Sequence, residues 1–488
     1  MKKIICNTLL TLSLIGALAL TACDGGTPTP SPDREPPVTT EHVHDFGEWK
    51  QTKEPTCLAE GEQQKSCSCG EKETETLAKA EDHTDDGNGA CKHCGTPLAP
   101  TAGIIYELSE DGSYAIATGY EGTATKVMIA DTYNGKPVTE VGASAFYNKS
   151  ITTVIIPDSV KKIGDNAFYG CNFTEISISN NLTELGDYAF SGFSTNICTT
   201  YEHLYYLGNE ENPYLVLYKA EPLDYTNREI VIHPDTKFIH SYAFQSRTIK
   251  SLTIPDGIIQ IGSYAFYESK LESITLGTGI TELSTGIFKE SRLLSEITVK
   301  GTLTKIGESA FSYCKALTTF TIPGTVTYIG DYAFSNSGLT SAIMPNSVTF
   351  LGDAAFCYCE SLHTIVMSDA LEEIPYYAFQ GCRNLKTLKI GANVKKIKYE
   401  SVMGCVSLER LVIPDSVTEI QERAFNSCIK LNTIVIGRSL QLINNAFYNC
   451  QAITDIYFTA SQCDESRFFP GDLSSFRRAA RHYNYQPD

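Results

Sequence analysis

From about residue 127 to residue 458 the chain repeats one short arrangement of apolar and polar positions, L-x-x-I-x-I-P-x-x-V-x-x-I-G-x-x-A-F-x-x-C. Copies begin at 151, 173, 249, 271, 294, 317, 339, 362, 385, 408, 431 and 453. Apart from one interruption, successive starts lie 22 or 23 residues apart. A period of about 20 to 29 residues marks a leucine-rich solenoid, in which each coil buries its apolar face against the next. The I-x-I ending alternates as a short half-buried strand requires. Pro157, Pro255, Pro323, Pro345 and Pro414 follow that strand, where a missing N–H breaks no ladder bond. V-x-x-I returns along the opposite side, and a glycine such as Gly164 or Gly330 eases the bend.

The Ala-Phe step predicts an internal aromatic column through Phe146, Phe168, Phe190, Phe244, Phe266, Phe288, Phe311, Phe334, Phe356, Phe379, Phe425 and Phe447, with Val402 as the departure. Seven cysteines (171, 314, 359, 382, 405, 428 and 450) keep register three residues after the Phe position. They are expected to form a buried ladder of small apolar side chains rather than a metal or redox site. Three segments break the rhythm. Residues 104–126 read as strand, Asp111-Gly112 turn, strand: a hairpin cap. Residues 195–229 interrupt the period with two apolar runs around Asn209 to Pro213. They predict a projecting hairpin that displays Tyr205, Tyr206 and Tyr214. Residues 459–488 close the far end.

The N-terminal part is of another kind. Lys2 and Lys3 precede an apolar run from Ile4 to Leu20, about right for a signal h-region and short for a bilayer span. Residues 23–41 are rich in Pro and Thr and cannot bury a core, so they form a disordered spacer. Residues 42–99 gather cysteines and histidines, ending in Cys91-Lys-His-Cys94-Gly95. A Cys-x-x-Cys-Gly turn suits a structural zinc, with Cys67 and Cys69 as the second pair beside Cys91 and Cys94, and Cys57 or His83 as substitutes. Disulfides are the alternative open to an exported chain. In either case so small a module needs a staple.

Composition narrows the partner. The 488 residues carry 57 acidic against 39 basic side chains, a formal net charge of −18. Such a field repels a phosphate backbone, so nucleic acid is excluded as a partner. No H-E-x-x-H, G-x-S-x-G or phosphate-binding glycine loop is present, and no enzymatic activity is expected.

Three resemblances complete the reading. Leu20-Thr21-Ala22-Cys23 resembles the lipobox of bacterial lipoproteins. It implies a signal peptide over 1–22, a lipid on Cys23 and a location in the bacterial cell envelope, exposed outside. The module at 42–99 resembles the zinc-ribbon-like unit near the N-terminus of some bacterial surface repeat proteins. The repeat over 127–458 resembles the BspA-like, or Treponema-type, leucine-rich repeats of bacterial surface proteins. That resemblance implies a right-handed, strand-rich superhelix with short helical or 3-10 turns and no catalytic activity. It further implies a role in adhesion to a host or bacterial surface protein. A glycan-binding protein or an envelope spacer is the alternative. The strand positions between core residues are expected to form the binding face: Thr253, Thr275, Thr298 and Thr321 early, then Ile343, Val366, Lys389, Val412, Val435 and Tyr457. This later, mostly apolar column is the candidate partner strip.

Overall fold

The computed structural model describes residues 45–53, 55, 60–79, 91, 99–227, 229–443, 445–461 and 478–486. The chain divides at residue 80 into two compact units. In the first, β1 (Lys50–Lys53), β2 (Gly61–Ser66) and β3 (Lys72–Leu77) form an antiparallel sheet in that order. These strands are polar on both faces, and Cys67 is the unit's one buried apolar side chain among the described residues. The Lys65 ammonium lies 4.7 Å over the Trp49 ring and 2.6 Å from Glu73 Oε2.

The second unit is a β-solenoid of about 15 coils of roughly 23 residues, with almost no helix. It opens with the antiparallel hairpin β4 (Ile104–Leu108) and β5 (Ala115–Tyr120). The Asp111 carboxylate ties the connecting turn by accepting from Ser109 Oγ and Ser113 N at 2.7 and 3.0 Å. β5 pairs in parallel with Lys136–Val141, so the hairpin covers the first coil.

Beyond the hairpin each regular coil supplies up to two short strands, and strands of successive coils pair in parallel. The first ladder begins with Lys126–Met128, Thr153–Ile155 and Glu175–Ser177. It resumes at Ser251–Thr253, at Ser341–Ile343 and at Arg410–Ile413. The second ladder runs through strands such as Glu282–Leu283, Lys305–Ile306, Tyr328–Ile329 and Phe350–Leu351. Register is residue for residue: Ser341 lies beside Thr364 and Ile343 beside Val366. Equivalent side chains therefore stack, and a two-residue alternation becomes a sealed inner face and an open outer one.

The phenylalanines stack inside as the repeat requires. Centroid spacings are 4.9 and 5.5 Å along Phe146, Phe168 and Phe190. They are 5.1 and 5.0 Å at Phe311–Phe334 and Phe334–Phe356. The rings are fully buried, as is Val402 in its place between Phe379 and Phe425. Each ring pair adds about 0.5–1.5 kcal/mol beyond the burial itself.

The corners differ from the expected helical turns. Typical corners have two residues with positive φ four positions apart, such as Tyr264 (58°) and Glu268 (54°) or Tyr332 (54°) and Asn336 (57°). This pair of left-handed residues reverses the chain tightly around Ala-Phe. The 3-10 turn at Thr195–Ile197 is the one such helix among the described residues.

The cysteine column is buried, but its side chains do more than fill space. Each thiol points at a main-chain carbonyl of the preceding coil. Cys171 Sγ donates to Phe146 O at 3.3 Å, Cys359 to Phe334 O at 2.9 Å and Cys382 to Phe356 O at 3.1 Å. Where the column carries Ser291, its hydroxyl donates to Phe266 O at 2.7 Å. A small side chain with a donor at this position gives the Phe carbonyl a second bond, beside the main-chain N–H it accepts within its own corner, such as Ser337 N on Phe334 O at 3.0 Å. Burial pushes the thiols up, to about 11 at Cys171 and about 12 at Cys359, which keeps the proton needed for donation.

The interruption at 195–229 does not project. Thr199–Tyr201 and Leu204–Leu207 pair antiparallel, Leu204–Leu207 pairs with Val216–Ala220, and Val216–Leu217 then joins the second ladder beside Phe238–Ile239. The insertion is a coil with its corner missing, and apolar alternation draws it into the core. At that missing corner residues 185–190 meet 238–263 through side chains instead of a ladder. The Gln260 amide accepts from Leu185 N and donates to Leu185 O at 3.1 and 2.6 Å, as a neighbouring peptide group would. The Asp187 carboxylate accepts from Ser241 Oγ at 2.9 Å and Ser263 N at 2.7 Å. The Phe190 amide donates to His240 Nε2 at 3.4 Å, and the opposite ring nitrogen lies 3.0 Å from Ser241 O.

Candidate functional site

The outer face of the first ladder carries the positions singled out from the sequence. Thr253, Thr298, Thr321 and Lys389 are exposed, and Thr275, Val366, Val412 and Tyr457 are half-buried. Ile343 stands 64% exposed, more than any other large hydrophobic among the described residues. Because Ser341–Ile343 pairs in register with Thr364–Val366, this aliphatic side chain is held on a fixed backbone.

Val435 does not belong to an open strip: it is fully buried. The chain's own end lies over this part of the face. Ala480–His482 extends the ladder beside Asp455–Phe458. His482 stacks on Tyr457 at 4.3 Å, and the Tyr485 ring lies 4.7 Å from Tyr457. Arg410 Nη2 donates to Tyr485 Oη at 3.0 Å. The candidate strip therefore runs from Ile343 through Val366 and Lys389 to Val412 and stops there.

The tyrosines of the insertion are also placed differently from expectation. Tyr206 is fully buried as a core residue, its hydroxyl accepting from His233 N at 3.2 Å. Tyr214 is half-buried and stacks on the His233 ring at 3.7 Å, and Tyr205 is half-buried on the same hairpin. Strand alternation divides Tyr205 from Tyr206: one faces out and the other in. No displayed tyrosine patch results.

An exposed aromatic edge lies elsewhere, at the corners. Tyr147, Tyr313, Tyr332, Tyr358, Tyr376 and Tyr448 flank the buried Ala-Phe steps and are exposed. Tyr188, Tyr242 and Tyr264 stack along the same edge at 5.5 and 5.3 Å. Part of the signal lies in the recurring Tyr-Ala-Phe of residues 188–190, 242–244, 264–266, 332–334 and 377–379, whereas Tyr147 and Tyr448 directly follow the phenylalanine. The inward phenylalanine masks it in a reading for core positions.

Of the residues considered for metal, Cys67 and Cys91 are buried and Cys69 is exposed, while Cys57, His83 and Cys94 lie outside the described residues. Cys23, considered for lipidation, also lies outside them. Among the described residues no three His, Cys, Asp or Glu side chains gather as a metal site would need.

One groove of the solenoid has no signal in the repeat pattern. It measures about 700 Å³ and lies where the first ladder parts between Glu175–Ser177 and the insertion. The two sides meet at one end, where Ile178 N donates to Gly208 O at 3.1 Å and Asn209 Nδ2 donates to Ile178 O at 2.6 Å. From there they diverge.

Comparison with known proteins agrees with this architecture. The family described as BspA type leucine rich repeat region matches in six copies, over residues 139–211, 237–363 and 349–469. These make up more than half of the chain. No curated protein matches. Similar solved structures include a leucine-rich repeat protein from Bacteroides ovatus, 24% identical, covering 78% of this chain and 98% of its own, with a TM-score of 0.43. A leucine rich cell surface protein from Faecalibacterium prausnitzii is 25% identical, covering 80% and 99%, with a TM-score of 0.31. The T. pallidum leucine rich repeat protein is 26% identical, covering 45% and 90%, with a TM-score of 0.27.

Proposed function

The chain belongs to the BspA-type leucine-rich repeat family, and from that premise we propose that it is a lipid-anchored surface protein whose solenoid holds an extracellular protein by adhesion. Leucine-rich solenoids are typically non-catalytic scaffolds that bind other proteins. The repeated core consumes the inward residues of every coil and leaves the outward ones free to vary. The observation that carries the reading is Ile343, a large aliphatic side chain held open to water on a rigid ladder, in register with Val366. An apolar side chain so placed contributes to binding without an ordering cost of its own. Anchoring rests on Leu20-Thr21-Ala22-Cys23, whose acylated cysteine would hold the envelope surface through its chains. The spacer after it would lift the repeats away from the lipid.

The test uses the full chain immobilised for surface plasmon resonance against purified extracellular-matrix and serum proteins. Ile343→Glu is expected to weaken the captured protein at least about tenfold, or 1.4 kcal/mol, with an unchanged unfolding midpoint. Equal binding by the variant, or capture of no protein, would sink the reading. Anchoring is read separately: Cys23→Ala should move the chain from the detergent to the aqueous phase on Triton X-114 partition.

A further inference from the structure

The groove at the parted ladder has the features of a strand-accepting site. Glu175–Ser177 pairs with Thr153–Ile155 on one side, and no strand pairs with its other side among the described residues. Glu175 N donates to Thr152 O, and Ser177 O accepts from Ile156 N, so both residues bond toward the paired side. Strand alternation then leaves the N–H and C=O of Ile176 facing the groove. The Ile176 side chain tells the same story. Its counterparts Val127 and Val154 are fully buried, yet Ile176 is half-buried because no coil among the described residues closes over it. With Ile155 and Ile197 it gives the groove an apolar lining.

The polar part of the lining has one sign. Among the described residues Asp158, Glu175, Glu210 and Glu211 border the groove, and no Lys, Arg or His does. All four carboxylates are exposed, and none forms an ion pair with another described residue. The second parting of the ladder, near Glu296–Val299, has a smaller groove bordered by one carboxylate, Glu296. Acidity is thus a property of this groove and not of a parted ladder as such.

We propose that this groove binds an extended basic segment of a protein partner. The segment adds as a strand to the open edge of Glu175–Ser177 and sets a Lys or Arg side chain among the four carboxylates, its aliphatic stem on Ile176. Backbone pairing at Ile176 gives register, and the carboxylates select the charge. The inference rests on the binding-protein reading but uses a different surface from Ile343.

A fluorescein-labelled peptide, Thr-Val-Lys-Val-Arg-Thr, titrated with the full chain and read by anisotropy, tests it. Saturable binding is expected, weakening with salt. Glu175→Lys combined with Glu210→Lys should weaken it at least tenfold while circular dichroism melting stays unchanged. N-methylation of alternate peptide amides should abolish binding in one register and spare it in the other. No saturable binding, equal binding of a peptide with Glu in place of Lys and Arg, or indifference to the double reversal would overturn the proposal. Self-association of the full chain that disappears on the same reversal would give the groove to a second copy and overturn it too. If the groove fails while capture sensitive to Ile343→Glu persists, only this inference falls.

Discussion

The joint at His240 predicts an acid-sensitive solenoid. The imidazole is buried between residues 190 and 241, with Tyr218 at 5.2 Å between ring centroids. Phe190 N–H can only donate to a deprotonated Nε2, so the network requires the neutral ring with its proton on Nδ1, donated to Ser241 O. Burial holds its pKa down to about 4, against opposing pulls from Ser241 O and the Asp187 carboxylate. The unfolded chain titrates near the ordinary value of about 6.5. Above that pH neither state binds the proton, and the joint has its full stability. As pH falls from about 6.5 toward 4 the unfolded state takes up a proton that the folded state refuses, and stability declines with it. The shift of about 2.5 units is worth about 3.4 kcal/mol, of which about 2.5 kcal/mol is lost by pH 4.5. The perturbation is His240→Gln, which can accept from Phe190 N and donate to Ser241 O without titrating. Urea unfolding of the full chain, followed by circular dichroism at pH 7.5, 6.0 and 4.5, gives the difference between wild type and variant. That difference cancels the titration of the many carboxylates common to both. Wild type should lose about 2.5 kcal/mol more than the variant by pH 4.5. Parallel pH profiles would refute the neutral buried joint.

Two further predictions probe the corners. Cys382→Ser should be close to neutral, because a hydroxyl can also donate to Phe356 O, whereas Cys382→Ala leaves that carbonyl only the Cys359 N–H and should cost about 1 kcal/mol. Urea midpoints of the two variants check this, and equal losses would reduce the column to space filling. Gly381 has φ 71°, and a Cβ there would sit 2.5 Å from the Tyr358 ring, so Gly381→Ala should destabilise by at least about 1 kcal/mol. Glu268, at φ 54°, should gain about 0.5 kcal/mol as Glu268→Gly, once relieved left-handed strain is set against added unfolded-chain freedom. Thermal melts that rank these two variants the other way would contradict the corner geometry.

What could be read beforehand follows from translational repetition. A residue that recurs every 22 or 23 positions must sit in an equivalent place in each coil, so the Phe column and the first ladder are legible in the sequence, while the return side of each coil forms a second ladder that the pattern does not announce. The period does not report what a side chain does at its place. Cys and Ser at the column three residues past Phe look interchangeable only once the Phe carbonyl is seen in front of them. The tyrosines of the corner edge recur in fewer coils than the phenylalanines and at more than one offset. Tyr332 and Phe334 go opposite ways because left-handed φ at Tyr332 turns its side chain outward. Val435 fits the strip by register and is buried by residues near the end of the chain, a long-range contact that no local pattern encodes.

The insertion shows the same limit from the other side. Tyr205 and Tyr206 alternate as any exposed hairpin would, and only the pairing of Val216–Leu217 with Phe238–Ile239 decides that the hairpin becomes part of the wall. Once it does, the coil lacks its Ala-Phe corner, and two consequences follow from that one omission. On the corner side, residues 185–190 meet 238–263 directly, and Gln260, Asp187 and His240 must replace main-chain pairing. On the strand side, no described residue closes over Ile176, and the ladder parts into an acidic groove. A polar joint and an open edge are thus two faces of a single irregular coil. Weakening the joint, by acid or by Gln260→Ala, should therefore loosen the groove before it disturbs the regular coils on either side. Native-state hydrogen exchange at Leu185, Phe190 and Ile178 would register that order, and simultaneous exchange across the whole array would count against it.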